Sequence, residues 1–272
     1  MLSPITHLPR HVALLASLFA LACASFAFAG SAEAATNPVG QGSNWNLILD
    51  DGFDGDALNP GVWWPFRPGG PIFDLPFNPP LESARYSPEN VAVHDGTALL
   101  RVSRDKTSHR FPYRSGVIQS SGLFKFTYGY VEARVKLPRC FGCWPAFWML
   151  EEPTAPREPS NTEVDIFEFF STQRLRQPYF NFHWNQFSAE AGIQRYGRKK
   201  ADYTRGYHTY GLLWKKDLMQ VFVDGRPGPN MSGGLVPDVD MYVLLNLAVF
   251  RGGRPRPNSR MAVDYVRVWQ RP

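Results

Sequence analysis

The chain has 272 residues, of which 44% are hydrophobic and 19% are charged, and its formal net charge is +5. This apolar content excludes a disordered chain, and the absence of a Gly-X-Y period excludes a collagen. The 23 glycines and 24 prolines argue against long helices and favour short strands joined by turns.

The first 35 residues have the pattern of a secretory signal peptide. Arg10 is their only lysine or arginine, and an apolar run extends from Val12 to Ala29. The small residues Ala32 and Ala34 then offer a cleavage site. A membrane anchor is the alternative, because the run approaches the length that spans a bilayer. We predict that residues 1–35 are removed and that residues 36–272 form one secreted, extracellular domain that has no contact with a membrane.

Two cysteines remain after such cleavage, Cys140 and Cys143. In an oxidising compartment this close pair predicts a local disulfide, with two free thiols as the alternative. A structural zinc site would need a second pair of ligands, and the sequence has none.

Alternation of apolar and polar residues predicts many short strands. In the segment 130–137 four apolar residues share one face, and Glu132, Arg134 and Lys136 share the other. Such a strand is half buried in an antiparallel sheet. Asp-Gly dipeptides at 95–96 and 224–225 mark tight turns. Further strands are predicted at residues 99–103, 117–126, 219–223, 241–249 and 262–269. The pattern predicts an all-β sandwich of the jelly-roll kind.

Seven basic residues cluster between Arg174 and Arg205. This cluster is either a solvated loop or a contact for anionic polysaccharide. The basic balance of the chain also allows nucleic acid as a partner, but the predicted secretion disfavours it.

The segment Thr162 to Phe170 places three acids in a strongly β-prone sequence. In a strand, Glu163 and Asp165 share a face because successive side chains alternate. Glu168 is out of phase with both, and a single β-bulge between Asp165 and Glu168 restores the phase. The sequence therefore predicts three carboxyl groups on one face.

This arrangement indicates acid–base chemistry on a glycosidic bond. Three neighbouring carboxyls cannot all ionise cheaply, so at least one keeps a proton. The carboxyls of Glu163 and Glu168 are predicted to lie about 5 to 6 Å apart, near the separation of a retaining glycosidase. A solvent-facing acidic edge and a calcium site are the alternatives. The interleaved Val, Ile and Phe residues disfavour the first, and calcium more often uses a Gly-bearing loop.

Together with the motifs around it, the acid motif resembles glycoside hydrolase family 16, in the laminarinase-like branch whose Glu-x-Asp-x-x-Glu motif carries a bulge. The resemblance extends over nearly all of residues 36–272. The supporting motifs are Asp51-Gly52-Phe53-Asp54-Gly55, Asn90-Val91, Ser115-Gly116, Tyr128-Gly129-Tyr130-Val131-Glu132-Ala133-Arg134, Trp144-Pro145-Ala146-Phe147-Trp148-Met149-Leu150, His208-Thr209-Tyr210, Trp214, Asn246-Leu247-Ala248-Val249 and Asp264-Tyr265-Val266-Arg267-Val268. The resemblance implies a concanavalin-like β-jelly roll with a carbohydrate groove on its concave sheet.

The resemblance also implies roles for individual residues. Glu163 would be the nucleophile, Glu168 the general acid and base, and Asp165 the residue that tunes both. The implied sugar contacts, each with core packing or a structural role as the alternative, are Trp144, Trp148, His183 and Trp184. No cofactor is required for the chemistry. Asp264 would be a ligand of a structural calcium ion, and a plain aspartate at a sheet edge is the alternative.

The predicted function is secreted, retaining endo-hydrolysis of a β-linked polysaccharide, with β-1,3-glucan as substrate. Three alternatives stay open: hydrolysis of a sulfated galactan of the agar or carrageenan type, transglycosylation, and non-catalytic carbohydrate binding. The intact acid trio disfavours the last. We expect a monomer whose partner is the polysaccharide.

Three features depart from the family pattern. Arg114 precedes Ser115-Gly116, Phe250-Arg251 separates Val249 from Gly252, and residues 65–80 are rich in proline. Each can border the groove, so the substrate contacts there are left open.

Overall fold

The structure is a computed structural model that describes residues 37–153, 162–170, 177–184, 192–196, 202–256 and 258–272. The predicted signal peptide lies outside the described residues, and so do residues 174–176, 185–191 and 197–201 of the basic cluster. Within the described part of the chain, no helix is both long enough and apolar enough to cross a membrane.

The described residues form two β-sheets and one short 3-10 turn, which confirms the predicted all-β sandwich. The larger sheet has ten strands: β1 (Asn46–Asp51), β2 (Ala84–Tyr86), β3 (Val91–Val93), β4 (Ala98–Arg104), β5 (Tyr113–Ser115), β7 (Gly129–Lys136), β12 (His208–Lys215), β13 (Leu218–Val223), β14 (Arg226–Ser232) and β16 (Arg260–Gln270). The smaller sheet has six: β6 (Val117–Gln119), β8 (Cys143–Glu151), β9 (Thr162–Glu168), β10 (Tyr179–Trp184), β11 (Gly192–Tyr196) and β15 (Met241–Val249). The turn spans Pro88–Asn90.

The order of strands in the larger sheet is β14-β13-β12-β7-β16-β4-β5-β2, with β1 also paired to β16 and β3 to β4. In the smaller sheet the order is β11-β10-β9-β8-β15-β6, so β9 lies inside the sheet. Apart from the parallel pair β2 and β5, the described neighbours are antiparallel.

The hydrophobic core lies between the two sheets and follows the alternation of the strands. In β7, Val131, Ala133 and Val135 point into the core, as the sequence predicts. In β15 the inward residues are also apolar, and the outward Tyr242 and Leu244 are buried in a second cluster with Trp148. A loop residue, Phe77, packs on that cluster and covers part of the outer face of the smaller sheet.

Most of the predicted strands are present, with two differences. The strand expected at residues 117–126 ends at Gln119, because the amides of Leu123 and Phe124 turn back to the carbonyl of Ser120. Glu132 points away from the core but is only 1% exposed. Both Asp-Gly turns are confirmed, with positive φ angles at all four residues.

Candidate active site

Strand β9 carries Glu163, Asp165 and Glu168 on the outer face of the smaller sheet. The bulge predicted between Asp165 and Glu168 is present: on β8, Phe147 pairs with Phe167, whereas the next residue, Trp148, pairs with Asp165. The interruption recurs on the other side of β9, where the register with β10 shifts at the same place. The extra residue lets both Ile166 and Phe167 enter the core, so the three acids share the outer face.

Burial differs among the three acids. The side chain of Glu163 is 24% exposed and that of Asp165 only 4%, and Glu168 is also buried. Burial raises the pKa of Glu168 well above its ordinary value, and the nearby Asp165 adds to this effect. The pKa of Asp165 is also raised, mainly by burial and then by the charge of Glu163. Each of these two carboxyls therefore holds a proton to higher pH than an exposed carboxyl does, and Asp165 hydrogen-bonds Glu168.

Strand β10 completes this polar cluster with Asn181 and His183. His183 is paired in register with Glu163, and Asn181 with Asp165. The His183 Nε2 lies 3.8 Å from Glu163 Oε1 and 3.6 Å from Asp165 Oδ2. The amide of Asn181 donates a hydrogen bond to Glu168 Oε2. His183 was predicted here, but Asn181 was not, although its position two residues before His183 on the same strand would have indicated it.

Trp144 contacts the acids directly. Its Nε1 donates a 2.6 Å hydrogen bond to Glu168 Oε1, which favours the carboxylate and lowers the pKa of Glu168 against the larger effect of burial. The Trp144 ring stacks on Phe250, with centroids 4.6 Å apart and an interplanar angle of 10°. Phe170 packs against both rings. Phe250, one of the departures from the family pattern, therefore occupies one face of the indole and holds its orientation.

Trp148 lies farther along the same outer face and is buried. Its Nε1 donates to Asn246 Oδ1 at 2.8 Å, and the Asn246 amide donates to the hydroxyl of Tyr86 at 2.7 Å. That hydroxyl donates to the buried Glu82 at 3.0 Å. Burial raises the pKa of Glu82. The three β9 acids share a cavity of about 180 Å³ with Trp144, Trp148, Asn246 and Glu82.

The proline-rich segment borders this cavity through Phe77 and Asn78. Phe77 packs edge-on against Trp148, with centroids 4.9 Å apart. Arg251 fastens the segment by donating to the carbonyl oxygens of Pro79, Pro80 and Glu82. Two departures from the family pattern, distant in sequence, therefore meet at the site. The third does not, because Arg114 is in β5 of the larger sheet, where it pairs with Asp105 at 3.1 Å, and it does not line this cavity.

The disulfide between Cys140 and Cys143 is present and closes the loop before Trp144, with Cα atoms 5.6 Å apart. The carbonyl of Gly142 in this loop accepts a hydrogen bond from the amide of Phe250. The disulfide loop thus supports the turn that carries the ring stacked on Trp144.

The structure does not bring Trp184 to the acids. Neighbouring residues of a strand point to opposite faces, and His183 takes the outer face. Trp184 instead packs against Phe182, with centroids 5.3 Å apart, and against the core between the sheets.

The donors around Asp264 do not fit a calcium ion. Its carboxylate pairs with Arg134 at 2.6 Å, so a cation already neutralises it, whereas calcium takes six to eight oxygen ligands. Among the described residues, the one grouping of three potential metal ligands consists of Glu163, Asp165 and His183. That grouping is the acid site itself, and the raised pKa of Asp165 opposes metal binding there.

Comparisons with known proteins agree with this fold. The family model described as "Glycosyl hydrolases family 16" matches residues 82–266. The glucan endo-1,3-beta-glucosidase A1 of Niallia circulans is 29% identical over 83% of this chain, and the chain spans only 38% of that protein's length. A keratan-sulfate endo-1,4-beta-galactosidase of Sphingobacterium multivorum is 26% identical over 95% of this chain and 67% of its own length. The structure of an endo-beta-1,3-glucanase from Pyrococcus furiosus superposes with a TM-score of 0.72 at 29% identity, covering 84% of this chain and 95% of that one.

Proposed function

Because this chain belongs to glycosyl hydrolases family 16, we propose that it is a retaining endo-glycosidase that cleaves a β-linked polysaccharide. The observation that carries this proposal is the acid trio of β9, in which a bulge brings Glu163, Asp165 and Glu168 to one face. The apolar segment of residues 12–29 is the basis for placing this activity outside the cell.

The three acids have different surroundings, and these differences support different roles for them. Glu163 is the most exposed of the three, and it attacks the anomeric carbon as the nucleophile. The raised pKa of Glu168 lets this residue keep a proton, which it transfers to the leaving oxygen. It then accepts a proton from the incoming water as the glycosyl-enzyme is hydrolysed. Asp165 lies between them and tunes both by charge and by its hydrogen bond to Glu168.

We infer that the substrate is a β-1,3-glucan. The relatives from Niallia circulans and Pyrococcus furiosus act on such glucans, as their names state. A second candidate is a sulfated galactan, and the relative named as a keratan-sulfate endo-1,4-beta-galactosidase favours it. Incubation with laminarin, lichenan, agarose and carrageenan separates the two candidates. We expect oligosaccharides from laminarin. Release from a galactan but not from laminarin would overturn the substrate assignment.

The roles of the acids are tested by azide rescue with an activated aryl glycoside of the substrate. In Glu168→Ala the glycosyl group should still be transferred to Glu163, because the activated leaving group needs little protonation. Hydrolysis of this glycosyl-enzyme should then stall. Added azide should then release a glycosyl azide of retained configuration. Glu163→Ala should form no covalent intermediate, and azide should give the inverted product.

Asp165→Asn serves as the matched variant, since Asp165 forms no bond to the sugar. It should keep partial activity with a shifted pH profile. Retained azide product from Glu163→Ala and inverted product from Glu168→Ala would reverse the assignment. An inverted product from the unmodified enzyme would exclude double displacement.

A further inference from the structure

A second cavity, of about 740 Å³, lies at one end of the ten-stranded sheet. Side chains from three neighbouring strands, Leu99, Lys136 and Ala262, line it, and so do the segments 94–97, 204–207 and 258–260. These strands belong to the sheet opposite the one that carries Glu163, Asp165 and Glu168. The cavity is therefore separate from the catalytic groove.

The lining of this cavity is strongly basic. Four of its residues carry a permanent positive charge: Lys136, Arg139, Arg205 and Arg260. Among the described lining residues the one carboxylate is Asp95, which is 89% exposed and pairs with His94 at 2.9 Å. A neighbouring carboxylate, Asp202, lies 3.6 Å from Arg205 and also binds Thr204. Positive charge exceeds negative charge around the cavity even when both carboxylates are counted.

One of these cations, Arg260, is placed at a cost to the fold. Arg260 of β16 lies directly opposite Arg101 of β4 in the strand register. Like charges at directly opposed positions destabilise a sheet. Among the described residues, neither arginine has an ion pair, and Lys136 has none either, its nearby aromatic partner being Tyr207. An anion bound in the cavity would relieve this repulsion.

We propose that this cavity binds the acidic groups of an anionic polysaccharide that accompanies the neutral glucan substrate, and so holds the enzyme near that substrate while the opposite sheet carries out catalysis. Guanidinium groups bind the oxygen atoms of carboxylate and sulfate groups through paired hydrogen bonds. Uncharged polar residues of the lining, Thr97 and Asn258, add groups that can bind sugar hydroxyls. The choice of a polysaccharide over other polyanions rests on the proposed function, whereas the anion site itself does not.

The test compares two double variants of exposed cations. Lys136→Gln/Arg260→Gln removes two charges from the cavity. Lys215→Gln/Lys216→Gln removes two exposed charges from the turn at the far end of β12. Binding to polygalacturonate and to dextran sulfate is measured by affinity electrophoresis, with neutral dextran and single-stranded DNA run in parallel. Laminarin hydrolysis is assayed on the same preparations.

We expect the first double variant to raise the Kd for an acidic glycan about tenfold and the control to change it less than about twofold. Added salt should weaken binding of the wild type, and neutral dextran should not bind. Preference between the two acidic glycans identifies the carboxylate or the sulfate as the bound group. Laminarin hydrolysis should be equal in all three proteins.

Equal weakening in both double variants would overturn the proposal, because it would indicate attraction to net charge alone. DNA bound as tightly as the glycans, with the same loss in the first variant, would overturn the assignment to polysaccharide. Failure of laminarin hydrolysis in the wild type would count against the proposed function and leave the binding result to stand by itself.

Discussion

Glu132→Gln should make the stability of this protein less dependent on pH. Glu132 is buried on the outer side of β7, and the hydroxyl of Tyr265 donates a 2.7 Å hydrogen bond to it. Burial raises the pKa of Glu132 to about 7, although Tyr265 and the amide of Val39 favour the ionised form. In the folded protein this carboxyl thus holds its proton to higher pH than in the unfolded chain.

The sign and size of the effect follow from this difference. Because the folded pKa is raised, the stability contribution is fully present below the ordinary value of 4.5 and is lost as the pH rises through about 7. The rise in pKa from 4.5 to about 7 corresponds to about 3 kcal/mol. About 2.5 kcal/mol of this loss develops between pH 5 and pH 8. Glutamine cannot ionise, and its Oε1 can still accept the bond from Tyr265.

The free energy of unfolding is measured by urea titration of wild type and variant at pH 5 and pH 8. The free energy of unfolding of Glu132→Gln minus that of the wild type should be about 2.5 kcal/mol more positive at pH 8 than at pH 5. The exposed Glu89→Gln is the control and should show no such change. Other titrating groups are present in both proteins and cancel in the difference. If the difference in free energy of unfolding between Glu132→Gln and wild type is the same at both pH values, the reasoning is refuted.

Three further predictions concern the aromatic support of the acid site. Trp144→Phe removes the hydrogen bond that lowers the pKa of Glu168. The alkaline limb of the profile of kcat/KM against pH should therefore move to higher pH, and an unchanged limb would contradict this. Phe250→Ala frees one face of Trp144 and should lower kcat/KM about tenfold with little change in the unfolding midpoint, whereas full activity would show that the stack does not position the indole. Cys140→Ser/Cys143→Ser should lower the Tm by several degrees and reduce activity, and an unchanged Tm in a calorimetric scan would contradict the supporting role of the disulfide.

The acid site was largely predictable from the sequence because its geometry is local. Strand alternation places Glu163 and Asp165 together, and one bulge brings Glu168 to them, so the seven residues of β9 define the arrangement. The same alternation shows that His183 and Trp184 cannot both face the acids. The prediction for Trp184 came from the family resemblance and not from this rule. The disulfide was also predictable, because its cysteines are only three positions apart in the sequence.

The tertiary structure decided which outward faces are covered. Alternation in β7 places Glu132 on a polar face, but in the fold this side chain is buried. Burial raises its pKa, although the amide of Val39 in the N-terminal segment favours the ionised form. Likewise, Phe250 and the proline-rich segment 65–80 are distant in sequence, and only the fold sets them around Trp144 and Trp148. Alternation specifies the face on which a side chain lies. The segment that packs over that face depends on long-range contacts, which have no local pattern, and in this protein those contacts set the burial, the pKa values and the shape of the groove.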